Sequence, residues 1–416
     1  MYRIRIPPSL KNRRFFYLWL GQLLSIAGTQ MQIWALLWHI RTLTDQPVAL
    51  GGVGLARILP IIIFSLISGV IADSFDRRKI LFITQCVAAL LALALGLLTQ
   101  FGQITIWLIY ALTALQAIAI AFDGPARQAL VPNLVPAKDL PNAFSMTSIA
   151  WQTGAILGPA LTGFVIAFGG QAAVYYINAT SYLAVIVALI LIGPVPQTKT
   201  DRIAGVSWNS IQEGIHFIVN KPIILSTMLL DFIATFFASA NTLMPIVARD
   251  ILHVGVVAYG WLSAAQSVGA VIAALVVSQL PELRRQGQLF LGSVVVFGAA
   301  TVVFGISTSL ILAWFALAIT GAADSVSTII RNTIRQLQTP DHIRGRMTSV
   351  NQIFFQGGPQ LGEVEAGIVA QLLGAPFAII SGGIGCIVGM WLIVRKWPFL
   401  LRYNGDEHIP AGAPAD

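Results

Sequence analysis

Three side chains stand out because an apolar helix should not hold them. Arg57, Asp231 and Glu363 each fall inside an apolar run, where an ionised group costs about 2.5–3.5 kcal/mol on membrane-insertion scales. The arginine therefore needs a partner. The carboxylates suggest proton carriage: burial disfavours their charged form, and a carrier must take up a proton and give it back. Asp231 and Glu363 are the coupling candidates, in that order. Asp123 and Asp324 come behind them, because Arg127 and Arg331 lie a turn or two along the same segments and would neutralise them.

The neutral polar residues are ordered as well. Gln22, Ser25, Thr29 and Gln32 are spaced 3, 4 and 3 apart, and Asp231, Thr235, Ser239 and Thr242 are spaced 4, 4 and 3. Gln116 shares a face with Asp123 and Arg127, and Thr320 with Asp324, Thr328 and Arg331. Ser349, Gln352, Gln356, Gln360 and Glu363 run at 3, 4, 4 and 3, with Glu365 pointing elsewhere. Helical spacing puts each set on one face. A lone serine or threonine would bond back to its own helix; four in register read as a wall facing water or substrate. Cys86, Cys386 and five scattered histidines form no disulfide, metal or nucleophile pattern, so neither metal nor cofactor is expected. No glycine-rich phosphate loop appears, which argues against nucleotide use.

The elements that position these residues follow from composition. The chain has 416 residues, 56% hydrophobic, with 25 basic and 17 acidic side chains and a mean hydropathy of +0.79. So little charge cannot clothe a soluble protein of this length. At 1.5 Å rise per residue, a bilayer core takes roughly 20 residues, and twelve spans emerge: 15–40, 50–73, 79–100, 103–123, 140–168, 170–193, 222–247, 257–280, 286–307, 309–331, 343–373 and 375–395. Unbroken apolar runs such as 90–98 exclude the alternation of a membrane barrel. With the N-terminus inside, 22 of the 25 basic residues fall on the cytoplasmic side, as the positive-inside rule requires. The net charge of +8 thus reports orientation, with both termini cytoplasmic, and not a nucleic-acid partner.

A polar stretch, 194–221, divides the spans six and six. The expected organisation is an N-terminal bundle (1–193), a cytoplasmic linker (194–221) with a short helix over 208–219, a C-terminal bundle (222–396) and a cytoplasmic tail (397–416). The halves repeat. A shift of 204 residues aligns Arg127 with Arg331, Pro136 with Pro340, Gln152 with Gln356, Gly154 with Gly358, Gly158 with Gly362, Gly163 with Gly367 and Gly170 with Gly374. Parallel repeats of this kind place a substrate site at their interface, which favours a carrier over a channel or an enzyme.

The loop Gly69-Val-Ile-Ala-Asp73-Ser-Phe-Asp76-Arg77-Arg78-Lys79 resembles the signature loop of the major facilitator superfamily, and Gly154-x-x-x-Gly158-Pro159-x-x-x-Gly163 resembles its antiporter motif. Asp123-Gly-Pro-Ala-Arg127 and Pro340-Asp-x-x-Arg344-Gly-Arg346 are similar to the exporter branch that contains macrolide pumps and siderophore exporters. Asp76, Ser74 and Thr162 depart from the usual residues. The resemblance implies an all-α membrane protein of twelve transmembrane helices in two pseudo-symmetric six-helix bundles. It implies that Gly69, Asp73, Arg77 and Arg78 latch the cytoplasmic side, that Arg57 and Glu363 pair to close the outer side, and that the first, fourth, seventh and tenth spans line the cavity. Gln22, Ser25, Thr29, Gln32, Gln116, Thr235, Ser239, Gln352 and Gln356 are then substrate-facing, with Trp34 and Trp151 nearby and Trp38 as packing.

The expected function is proton-coupled export of amphiphilic small molecules, drugs or siderophores, across a bacterial plasma membrane by alternating access. A monomer in the lipid bilayer is the expected working form. Proton-coupled uptake is the alternative; a membrane enzyme or scaffold fits less well, since no convergent acid–base set is present.

Overall fold

The computed structural model describes residues 7–195, 208–280 and 284–405; within these, the side chains of 65–66, 69–70, 72–74, 208–211, 214, 240, 341–342, 344–346, 348–349 and 352–353 lie outside the described set. Every long element is a helix: α1 (Arg13–Leu43), α2 (Pro47–Ser74), α3 (Arg77–Gln100) and α4 (Ile106–Leu130) come first. Leu140–Ile192 is one helical stretch broken at Gly170 into α5 (140–169) and α6 (171–192). A linker helix, α7 (Trp208–Val219), precedes α8 (Pro222–Phe237), which continues through a 3-10 turn and ends in a π-helical turn, Val247–Ile251. Then follow α9 (Val256–Ser278), α10 (Gln286–Ile306), α11 (Leu310–Gln338), α12 (Asp341–Leu373) and α13 (Ala375–Lys396).

Local chemistry sets the boundaries. Asp76 caps α3, its side chain accepting from the Arg78 and Lys79 amides, and Thr105 caps α4 through the Leu108 amide. Asp76, one of the departures from the signature loop, thus has a structural task. By length and composition, nine helical stretches of the described residues are apolar enough to cross a membrane, one of them holding both α5 and α6. α1 and α12 are long enough but fall outside this set; they carry the stripes of glutamines, so the same residues that suggest function dilute the hydropathy.

The helices form two compact units, Met1–Leu43 with Leu59–Val206 and Thr44–Ile58 with Ser207–Asp416. In the first, α1 packs along the α5–α6 stretch, as does α3, around Phe15, Leu18, Leu81, Leu130 and Leu189. In the second, α9 packs on α11, α10 on α11 and α13, and α8 on α12 and α13, around Leu230, Phe290, Ile330 and Trp397. The start of the expected tail belongs to this core: Leu400 and Tyr403 are buried, and the Gly287 amide donates to the Tyr403 carbonyl at 2.9 Å. The segment Thr44–Ile58 joins the second unit because Gly51 and Gly54 let its backbone meet α12. A methyl group on Gly51 would lie 2.8 Å from the Glu363 carbonyl oxygen, and one on Gly54 would lie 2.6 Å from that of Gln360.

The repeat is visible in the packing. A Cβ on Gly154 would sit 2.6 Å from Ile26, and one on Gly158 would sit 2.5 Å from Gln30, so α5 rests its small residues on α1. The aligned Gly358 and Gly362 press in the same way on Thr235 and on the backbone of Phe236, so α12 rests on α8. Small-residue faces allow such close approach in membranes. Thr162, another departure from the motif, adds a bond of its own: its hydroxyl donates to the Met31 carbonyl at 3.2 Å and to Gly158 at 2.8 Å.

Candidate functional site

The charged residues gather in two centres, one in each unit. In the first unit α4 holds Asp123 one turn before Arg127, and the guanidinium reaches the carboxylate at 2.6 and 2.8 Å. α3 adds two donors to the same carboxylate, Gln85 at 2.7 Å and Thr84 at 3.3 Å. The carboxylate thus has a cation and two neutral donors around it, an arrangement that suits the neutralising role expected of Arg127.

In the second unit the aligned arginine behaves differently. Arg331 on α11 forms an ion pair with Asp231 on α8; both residues are buried. Its other guanidinium nitrogen donates to Thr328 at 2.6 Å and stands 3.8 Å from Asp324 on its own helix. Asp324 is 51% exposed. The sequence pairs Arg331 with Asp324; the fold brings it against Asp231, one hundred residues away, and leaves Asp324 as a second, looser neighbour. Thr235, one turn beyond Asp231, bonds back to the Asp231 carbonyl at 2.8 Å, and Ser239 donates to the Pro359 carbonyl at 2.8 Å.

Glu363 lies on α12 against the glycine face of Thr44–Ile58: a Cβ on Gly54 would stand 2.8 Å from its carboxylate oxygen. Arg57 stands on the same segment, three residues beyond Gly54. Glu363 is thus packed against the segment that carries Arg57.

The glutamine stripe of α1 turns out to have partners inside its own unit. Gln32 donates to Gln116 on α4 at 2.6 Å and accepts from Asn178 on α6 at 2.6 Å. Gln116 donates to the Tyr182 hydroxyl at 3.1 Å, which is also bonded to Thr29 at 3.0 Å. Gln22, Ser25, Gln32 and Gln116 are all buried. Gln32 and Gln116, expected to face substrate, are thus joined in a hydrogen-bond network within the unit. The physical reason is that an amide in an apolar bundle takes whatever partner faces it, and Asn178 and Tyr182 face this one. Sequence reading missed both residues, although their one-turn spacing on α6 was a polar stripe of its own.

The motif arginines also act within the first unit. Arg77 donates to the Ala129 carbonyl and to Asn133, both at 3.0 Å, and Arg78 to the Leu189 carbonyl at 2.7 Å. Each places a positive charge at the carbonyl end of a helix, α4 and α6 respectively, where the dipole favours it. The side chains of Gly69, Asp73 and Gln352 lie outside the described residues, and Gln356 is half-buried. A separate cavity of ≈ 740 Å³ is walled by Val256, Trp261, Trp314 and Phe315 among other apolar residues; it touches none of the charged centres and has the chemistry of a lipid-facing groove.

A model of the transmembrane secretion effector family, a branch of the major facilitators, matches residues 7–402. The chain belongs to that family. It is accordingly a major facilitator secondary transporter embedded in the membrane through many spans, and not an enzyme. Among curated relatives of this family member, the enterobactin exporter EntS of Citrobacter koseri is 25% identical over 349 residues, covering 84% of this chain and 83% of that one. The MFS-type transporter YfiS of Bacillus subtilis is 25% identical over 413 residues, covering 94% and 95%. Among solved structures, the fold matches a bacterial Spinster homologue in an inward-facing, occupied conformation with a TM-score of 0.76 at 13% identity, over 94% of this chain and 98% of that one. It also matches the nucleoside transporter NupG, with a TM-score of 0.71 at 12% identity, over 94% and 99%.

Proposed function

We propose that this transporter exports amphiphilic small molecules, siderophore- or drug-like, across the bacterial plasma membrane in exchange for protons, working as a monomer by alternating access. The observation that carries the reading is the buried Asp231–Arg331 ion pair. A buried pair is a poor stabiliser, since desolvation offsets most of its attraction, so its presence midway along a span points to use. A proton arriving at Asp231 would discharge the pair and release Arg331, which couples proton occupancy to the position of α8 relative to α11. Export is supported by the secretion description of the family and by the enterobactin exporters among the relatives. Glu363 is the second coupling candidate and, with Arg57, a gating one; both termini lie in the cytoplasm, a reading supported by the bias of lysine and arginine toward one side.

The test is transport in everted vesicles with enterobactin and with the macrolide erythromycin, with and without an uncoupler. Asp231→Asn should abolish uncoupler-sensitive accumulation while leaving equilibrium binding of the same compounds measurable. Undiminished accumulation by the variant would remove Asp231 from the mechanism, and accumulation confined to right-side-out vesicles would make the protein an importer.

A further inference from the structure

Charge arithmetic at the second-unit centre does not close. Two carboxylates, Asp231 and Asp324, share one guanidinium within 4 Å, whereas in the first unit Asp123 and Arg127 match one to one. Among the described residues no other cation stands within 4 Å of either carboxylate, Arg335 lying one turn beyond Arg331. α8 contributes Asp231 alone, and α9 and α10 carry no charged side chain. α12 offers Glu363 and Glu365 among its described side chains, α7 has Glu213 and His216, and α13 has Arg395 and Lys396 in its last turn. Arg335, the next cation along α11, donates to Asn332. Position adds a second observation. Asp324 lies near the middle of α11 and is half-exposed; a carboxylate at that depth borders water, because lipid offers it no partner.

We propose that the proton seat is the three-residue centre as a whole, with Asp324 as its water-facing member, and not Asp231 acting alone. The unmatched negative charge is what the transported proton neutralises. The proton comes from water at Asp324 and forms an O–H bond on a carboxylate of the centre. No other covalent bond breaks, and a neutral acid is left beside a balanced arginine–carboxylate pair. Arg331 exchanges between the two carboxylates according to which one carries the proton, so it is a positioning residue for the coupling step. This deepens the reading of Asp231 as the coupling group and rests on it.

The experiment needs no transported compound. Purified protein in lipid vesicles is taken from about pH 8 to about pH 5, a window that spans the onset of acid protonation, while infrared difference spectra record the carbonyl band of protonated carboxylic acids. Asp231→Asn and Asp324→Asn should each lose one acid's share of the wild-type band, because either change leaves a balanced pair that keeps its remaining carboxylate ionised. Asp123→Asn should lose none, Asp123 being already matched, and Asp324→Glu should restore the band. If Asp324→Asn keeps the full band while Asp231→Asn loses it, the proton sits on Asp231 alone; the shared seat is overturned and the reading above stands. If Asp231→Asn alone keeps it, the shared seat is overturned as well. If both variants keep it, the coupling role of Asp231 falls too.

Discussion

Gln22 and Gln32 are both buried amides on the same face of α1, and their environments make them opposites. Gln32 donates to Gln116 and accepts from Asn178, so Gln32→Leu orphans two groups and should lower stability by about 1–3 kcal/mol, read as a drop in thermal unfolding temperature in detergent. The Gln22 side-chain nitrogen has no hydrogen-bond partner among the described residues; Gln22→Leu should leave stability unchanged or raise it. The stripe was readable from spacing alone, because period is a local property. What the stripe faces was not readable, because Asn178 and Tyr182 are some 150 positions away and nothing in the spacing of α1 names them. Arg331 teaches the same lesson with charge. The nearest acid in sequence, Asp324, was the reasonable partner; the fold supplies a closer one from another helix.

At the scale of helices, the small residues of α5 and α12 are what bring α1 and α8 into backbone contact with them. Gly362 presses on the Phe236 carbonyl, and an added Cβ would collide with it, whereas a Cβ on Gly292 meets nothing within 4 Å. Gly362→Ala should therefore destabilise by about 1–3 kcal/mol through overpacking. Gly292→Ala should be neutral or stabilising by up to about 1 kcal/mol from helix propensity. Thermal unfolding of the two variants side by side checks the contrast. These glycines were legible as a pattern in α5 and, through the repeat, in α12, since glycines four apart share a face. The bond from Thr162 to Met31 was not, because a hydroxyl in a helix ordinarily bonds within its own turn and this one does that and reaches across as well.

For the molecule as a whole, the distribution of lysine and arginine is the readable quantity, and it carries a prediction of orientation. Reporters fused separately to the two ends should both be active on the cytoplasmic side; a periplasmic signal from either would break the twelve-span count. The number and order of the spans were legible because each needs only its own run of apolar residues, while the pairing of charges depended on contacts that no run contains. One further consequence lies in the corners. Gly170 joins α5 to α6 with φ 72° and ψ 179°, and Gly374 joins α12 to α13 with φ 90° and ψ 154°. They are aligned positions of the repeat, and both adopt a backbone conformation that glycine alone takes readily. The corresponding corner of each half thus makes the same demand on the backbone, and a residue without a Cβ meets it in both.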